Sequence, residues 1–296
     1  MATKKQGPLT FNDGYVFSRE RIYVASQERA EAKSDRSMVA IVIDQQWKLA
    51  SLDDAALSVA CDDQRHGFFL GHYGRVLVSG AGGRTVEQIP YSDELGELLR
   101  IRNVNGTIYV CGMSGQVFRR VANGWAAIDG NIRGTDQLDF EDIGGTGPSN
   151  LYAVTSFGAV MHYDGRKWRS IDFPGNRPLS GIRARNPQEV YVCGDDGGLY
   201  RGHADRWDFI GSSDLEFDYW SVELYADDVY VAHGGGLVRF DGRDLHEVEL
   251  GIDGEIDCHR LHANDGVLFS FGVDHILCFD GGRWSRFLCP FNEQPA

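Results

Sequence analysis

The residues best equipped for chemistry in this 296-residue chain are carboxylates. Glu141 and Asp142 stand side by side in LDFED, and Asp218 stands in LEFDYW. Two carboxyl groups about 5 to 10 Å apart, one with a raised pKa, would suit glycan hydrolysis or elimination. A second candidate is the run CHRLH, Cys258 to His262, whose residue types bind metal ions. Alternate residues of a strand point to opposite faces, so Cys258 and His262 would share a face while His259 points away. No three-ligand site is expected there. His72, His233 and His275 form a third set near one type of connection, but nothing pairs them with a base or a nucleophile. The six cysteines, Cys61, Cys111, Cys193, Cys258, Cys278 and Cys289, include no CxxC pair, so reduced, mostly buried thiols are expected. No catalytic residue, metal or cofactor emerges, and the chain reads as a binder more than as an enzyme.

The elements that would position these residues follow from self-similarity. TIYVCGMSGQVFRRVANGWAAI from Thr107 aligns without a gap on NLYAVTSFGAVMHYDGRKWRSI from Asn150. The frame returns as EVYVCGDDGGLYRGHADRWDFI from Glu189, and with small shifts from His66, Asp228 and Gly266. A degenerate copy starts at Arg21 and is broken by the polar insert ERAEAKSDRS at residues 28–37. Marking each copy by its first-strand aromatic gives Tyr23, Phe69, Tyr109, Tyr152, Tyr191, Tyr230 and Phe269, with spacings of 46, 40, 43, 39, 39 and 39. Each frame holds three β-rich runs, with an Asp-Gly or Asn-Gly turn before the third in YDGRK, FDGRD, FDGGR and VANGW. A fourth run precedes the frame, as in LLRIRNV or FEDIGGT. Four antiparallel strands per roughly 40 residues, seven times over, predict an all-β, seven-bladed β-propeller. Trp47, Trp125, Trp168, Trp207 and Trp284 share one repeat position and are expected to pack between sheets.

The unit VYVCGDDGGLYRGHADRW, and siblings ending YDGRKW and FDGGRW, resemble bacterial propellers of the photosystem II assembly-factor and neuraminidase-repeat groups. The resemblance spans about Arg21 to Leu288. It departs from the neuraminidase SxDxGxxW box, because Asp164 and Gly165 are adjacent, so it implies the architecture and not sialidase activity. The expected layout is a tail over residues 1–13, a single propeller over 14–290 and a tail over 291–296. Residues 8–17 would either complete the first blade or lend a strand to the last.

Composition narrows the partner. Lys plus Arg number 29 against 43 Asp plus Glu, a net charge of −14, which disfavours nucleic acid and favours a basic protein. Apolar runs such as MVAIVI fall far short of the roughly 20 residues of a membrane span. MATKKQGPLT carries two lysines with no apolar segment after them, so a cytoplasmic chain is expected. The acids cluster in connections that share one face of such a propeller: SLDD, YSDELGE, TDQLDFED and SDLEFD, with Asp195, Asp196 and Asp274 in the second-strand loops. These loops either solubilise the protein or form an acidic docking face with interleaved aromatics. In the second case the partner-binding residues are Trp220, Tyr219, Phe217, Asp218, Asp139, Phe140, Glu141, Asp142, Asp195, Asp196, His233 and His72, with Tyr91 as a further aromatic. The expected function is a non-enzymatic scaffold of the immunity or inhibitor type, occluding a basic toxin or enzyme. The competing expectation is a glycan hydrolase or lyase using Glu141, Asp142 and Asp218 at the channel mouth.

Overall fold

The computed structural model describes residues 7–29, 37–212 and 214–292, and in them seven four-stranded antiparallel meanders stand in a ring. The blades cover residues 9–52, 56–88, 98–127, 140–170, 179–209, 219–247 and 260–287. Their innermost strands are Leu9–Ser18, Ala56–Cys61, Leu98–Val104, Phe140–Gly147, Leu179–Asn186, Tyr219–Tyr225 and Arg260–Asn264. Each packs on the next around a central channel, and the last packs on the first. The seven-bladed propeller read from the repeat is the fold observed.

Seven apolar clusters hold the ring, one at each junction between neighbouring blades. Every blade is therefore covered on both faces, which is why second strands such as IYVCG lack the polar alternation of a half-solvated sheet. The seven marker aromatics, Tyr23 to Phe269, are all at most 4% exposed. Trp168 and Trp284 are buried and the other repeating tryptophans half-buried, all against the outer parts of these clusters. Five of the six thiols are buried, and burial pushes those of Cys111 and Cys193 well above the ordinary thiol range.

Ring closure needs no exchanged strand. Residues 9–18 complete the first blade, pairing from Leu9 with Glu28 to Ser18 with Arg21. Blade 7 is then clasped to blade 1 by hydrogen bonds. Asn292 Oδ1 accepts the Leu9 amide at 2.6 Å, while its Nδ2 donates to the Leu9 and Asp274 carbonyls. The Phe11 amide donates to the Val273 carbonyl at 2.8 Å, and Asn264 Nδ2 to the Phe17 carbonyl at 2.7 Å. The propeller thus engages residues from Leu9 to Asn292, beyond the limits expected from the repeat alone. Of the polar insert, residues 30–36 lie outside the described residues.

The closing junction is tight at Gly14, where a Cβ would meet the Phe271 ring of blade 7 at 2.1 Å. Gly14→Ala is expected to destabilise the protein by about 1–3 kcal/mol, the usual range for overpacking. A urea-unfolding midpoint equal to that of the parent protein would contradict this packing.

Candidate partner-binding face

Connections between blades and the turns joining second to third strands emerge at the same end of the ring, and carboxylates at the inner-strand entrances tie the two together. Asp139 accepts the Ser114 amide at 2.9 Å, Asp218 the Asp196 amide at 3.2 Å, and Asp54 the Tyr73 amide at 3.2 Å. Glu97 Oε2 meets His72 Nδ1 at 2.9 Å. Part of the acidic excess is therefore structural, used to satisfy turn N–H groups that would otherwise lack partners. Asp93, Glu94, Asp136, Asp196, Asp214, Glu216 and Asp218 remain exposed on this face. Partial burial, then Asp218 and Asp196, raise the Asp195 pKa above the ordinary carboxylate value, against the opposing pull of Arg177. A cation brought to this spot would relieve that repulsion.

The expected anchors divide. Trp220 and Phe217 are half-buried on the face, Trp220 edge-on to His259 at 4.3 Å and Phe217 stacked on His233 at 4.0 Å. His233 is buried, which lowers its pKa, and its Nδ1 accepts the Gly235 amide, so it braces its own turn. Phe140 and Tyr219 are 0% exposed, and Asp142 only 3%. None of these three can meet a partner as docking residues. The run TDQLDFED reads as a loop because of its charge, but the inner strand starts at Phe140, and a bulge at Glu141 makes Asp142 the next ladder residue, so Phe140 enters a blade junction and Asp142 the channel. Glu141, between them, is bulged out of register and half-exposed.

Two exposed aromatics escape the charge-based reading. Tyr73 is 63% exposed and Phe157 52%, both in turns between second and third strands. Each precedes the turn glycine where sibling copies carry Ser114 or Asp196. An aromatic in a turn position that is polar in sibling copies is the signal the sequence carries, masked by the neighbouring acids.

The channel decides the hydrolase reading. Inward side chains form a charged lattice: Arg102 Nη1 to Asp13 Oδ2 at 3.1 Å, Arg102 Nε to Asp142 Oδ1 at 2.9 Å, Arg183 Nη1 to Asp142 Oδ2 at 3.4 Å and Arg183 Nε to Glu223 Oε2 at 3.0 Å. The same side chains stitch neighbouring inner strands by accepting amides: Asp13 takes Val59, Ser58 takes Ile101, Asp142 takes Ile182, Ser221 takes Leu261, and His262 Nδ1 takes Val16. Burial would raise the Asp142 carboxyl, but Arg102, Arg183 and Arg100 outweigh it and hold the carboxyl below its ordinary value. A general acid needs the opposite shift. Asp218 is spent on the Asp196 turn.

The CHRLH run is dispersed. Cys258 packs between blades 6 and 7, His259 lies against Trp220, and His262 faces the channel. On the opposite end of the ring, Asp164, Asp241 and Asp280 each accept two amides of their own hairpin turn at 2.8–2.9 Å, so the repeating Asp-Gly is a turn device.

Burial first, then Arg183 and Arg102, keep the His262 imidazole neutral, its pKa lowered to about 3. An unfolded histidine titrates near 6.5, so between the two values the unfolded chain binds the extra proton. Stability therefore falls as pH drops from about 6.5 toward 3, with a slope from this group approaching about 1.4 kcal/mol per pH unit. His262→Gln is expected to flatten the stability profile between about pH 6 and 5, leaving the smaller contributions of His162, His233 and His259, whose pKa values burial also lowers. An unchanged slope in urea titrations would contradict this.

Fold and face together define a seven-bladed β-propeller with exposed carboxylates and aromatics at one end of an ion-paired channel. No family model matches the sequence. The chain is 34% identical over 302 residues to the immune protein Tsi7 of Pseudomonas aeruginosa, covering 96% of this chain and 99% of that one. It belongs to the Tsi7 family of immune proteins. Among solved structures it is similar to YCF48 from Cyanidioschyzon merolae, with 17% identity, a TM-score of 0.70 and 93% and 96% of the two chains covered. It is also similar to virginiamycin B lyase from Staphylococcus aureus, with 12% identity, a TM-score of 0.72 and coverage of 93% and 95%. At these identities the likeness is one of fold.

Proposed function

We propose that this chain is an immunity protein that binds a toxin of the same cell and blocks it with the loop face, and that the toxin surface it covers is basic. The membership in the Tsi7 family carries this reading. The face adds chemistry to it, because exposed carboxylates share one end of the propeller with two exposed aromatics, Tyr73 and Phe157. Aromatics supply the desolvated centre of an interface, and acids around them supply fast, oriented encounter with a cationic surface. Trp220, Phe217, Asp218, Asp139, Glu141, Asp195, Asp196 and His72 belong to the same face as flanking contacts. The net charge of −14 opposes nucleic acid as the ligand. Among the described residues no helix is long and apolar enough to cross a membrane, and we place the action in the cytoplasm, where a cell's own toxin would be met before export.

The test is a hydrogen-exchange footprint of the chain with the toxin that co-purifies from its source cells. Protection is expected in the turns around Tyr73, Ser114 and Phe157 and in residues 91–97 and 214–220. Protection confined to the hairpin-turn end, around Asp164 and Asp241, would sink this reading.

A further inference from the structure

The channel carries an imbalance that the toxin-binding face does not use. Its inner strands direct Arg100, Arg102, Arg183 and Arg260 inward against Asp13, Asp142 and Glu223, one positive charge in excess within an acidic protein. Arg260 shows the consequence. Its Nη1 donates to the Trp220 carbonyl at 2.6 Å, and burial together with the nearby Arg100 charge brings its pKa down to about 9.

Below this layer, toward the end opposite the acidic loops, the channel opens into a cavity of about 180 Å³ lined by Tyr15, Arg102, Arg183, Glu223, His262 and Asn105, among others. Its lining is rich in donors. Arg102 uses Nη1 toward Asp13 and holds Nε 2.9 Å from Asp142 as an ion pair without hydrogen-bond geometry, and Arg183 uses Nη1 and Nε toward Asp142 and Glu223. Each keeps an Nη2 group that no hydrogen bond engages among the described residues. His262 accepts the Val16 amide through Nδ1, so the proton of its neutral ring sits on Nε2, which also meets no acceptor among the described residues. The Tyr15 hydroxyl, whose ring lies 4.0 Å from that of His262, is a fourth donor with no acceptor among the described residues. The one carboxylate on the wall, Glu223, is occupied on both oxygens, by Arg183 and by the Leu224 amide.

We infer that this cavity is a binding site for a small oxyanion, of the size of inorganic phosphate or a short dicarboxylate, held by Arg102, Arg183, Tyr15 and His262. Two guanidinium edges suit planar or tetrahedral oxygens, and an anion would both accept the four free donors and neutralise the excess charge. Water could accept hydrogen bonds here but would leave the charge unbalanced. The site goes beyond toxin binding and is separated from it, since its mouth lies at the other end of the ring.

Thermal unfolding of the intact protein in 10 mM inorganic phosphate or malonate, against chloride at matched ionic strength, tests it. Binding to the folded state alone should raise the midpoint by about 3 °C or more if the ligand is well above its Kd. Titration calorimetry should give one site per chain, and Tyr15→Phe and His262→Phe, which leave the arginine lattice in place, should each weaken binding several-fold. The site would be overturned if neither oxyanion exceeds the chloride control, or if Tyr15→Phe binds as tightly as the parent protein.

Discussion

Asp142→Ala is expected to lower stability by about 3–5 kcal/mol, the range for stripping one partner from a buried ion pair. The carboxylate stands between Arg102 at 2.9 Å and Arg183 at 3.4 Å, and it also accepts the Ile182 amide of the next blade at 3.3 Å. Its removal leaves the buried Arg100 and the half-buried Arg102, Arg183 and Arg260 facing Asp13 and Glu223 alone, and it opens one of the stitches between inner strands. Asp142→Asn separates the two effects. The amide oxygen still accepts the Ile182 amide, so recovery of the stitch without the charge is expected to restore a minor share. Urea unfolding followed by tryptophan fluorescence reads both variants, and a loss under about 1 kcal/mol for Asp142→Ala would show that the lattice contributes little.

The second large effect belongs to the loop face. Tyr73→Ala with Phe157→Ala is expected to weaken toxin binding by about 100-fold or more, corresponding to one or two hot-spot side chains at roughly 2 kcal/mol each. Both rings project into solvent, so the unfolding midpoint should stay within about 0.5 kcal/mol of the parent. Phe209, 54% exposed on the outermost strand of blade 5, provides the control, and Phe209→Ala should bind as the parent does. Equal losses at all three aromatics would remove the loop face from its role.

The ring was legible because its information is local and repeated. One aromatic returns every 39 to 46 residues, and an Asp-Gly or Asn-Gly turn marks four of the seven outer hairpins. The channel was not legible by the same means. Arg102, Gly144, Arg183, Glu223 and His262 occupy one frame position, but that position is occupied by cations, an anion, a glycine and a histidine in turn, so no residue type repeats. Its meaning lies in pairs about 40 residues apart, such as Asp142 with Arg183 and Arg183 with Glu223, which meet only after the blades close. Charge was read as a mark of loops, and this assigned Asp142 to the surface when it is 3% exposed. Phe140 and Tyr219 were misplaced for the same reason, as neighbours of acids at the first position of an inner strand. Closure through Asn292 had no periodic signal at all, because the clasp occurs once.

The most direct test of an acidic, aromatic-centred toxin-binding face is the association rate with the co-purified toxin as a function of salt. Between about 50 and 500 mM salt, a rate steered by opposite charges should fall at least tenfold. Charge reversal at Asp196, Asp214 and Glu216 should slow association at low salt and flatten that dependence, with dissociation little changed. A rate independent of salt, or untouched by the reversal, would contradict electrostatic docking through this face.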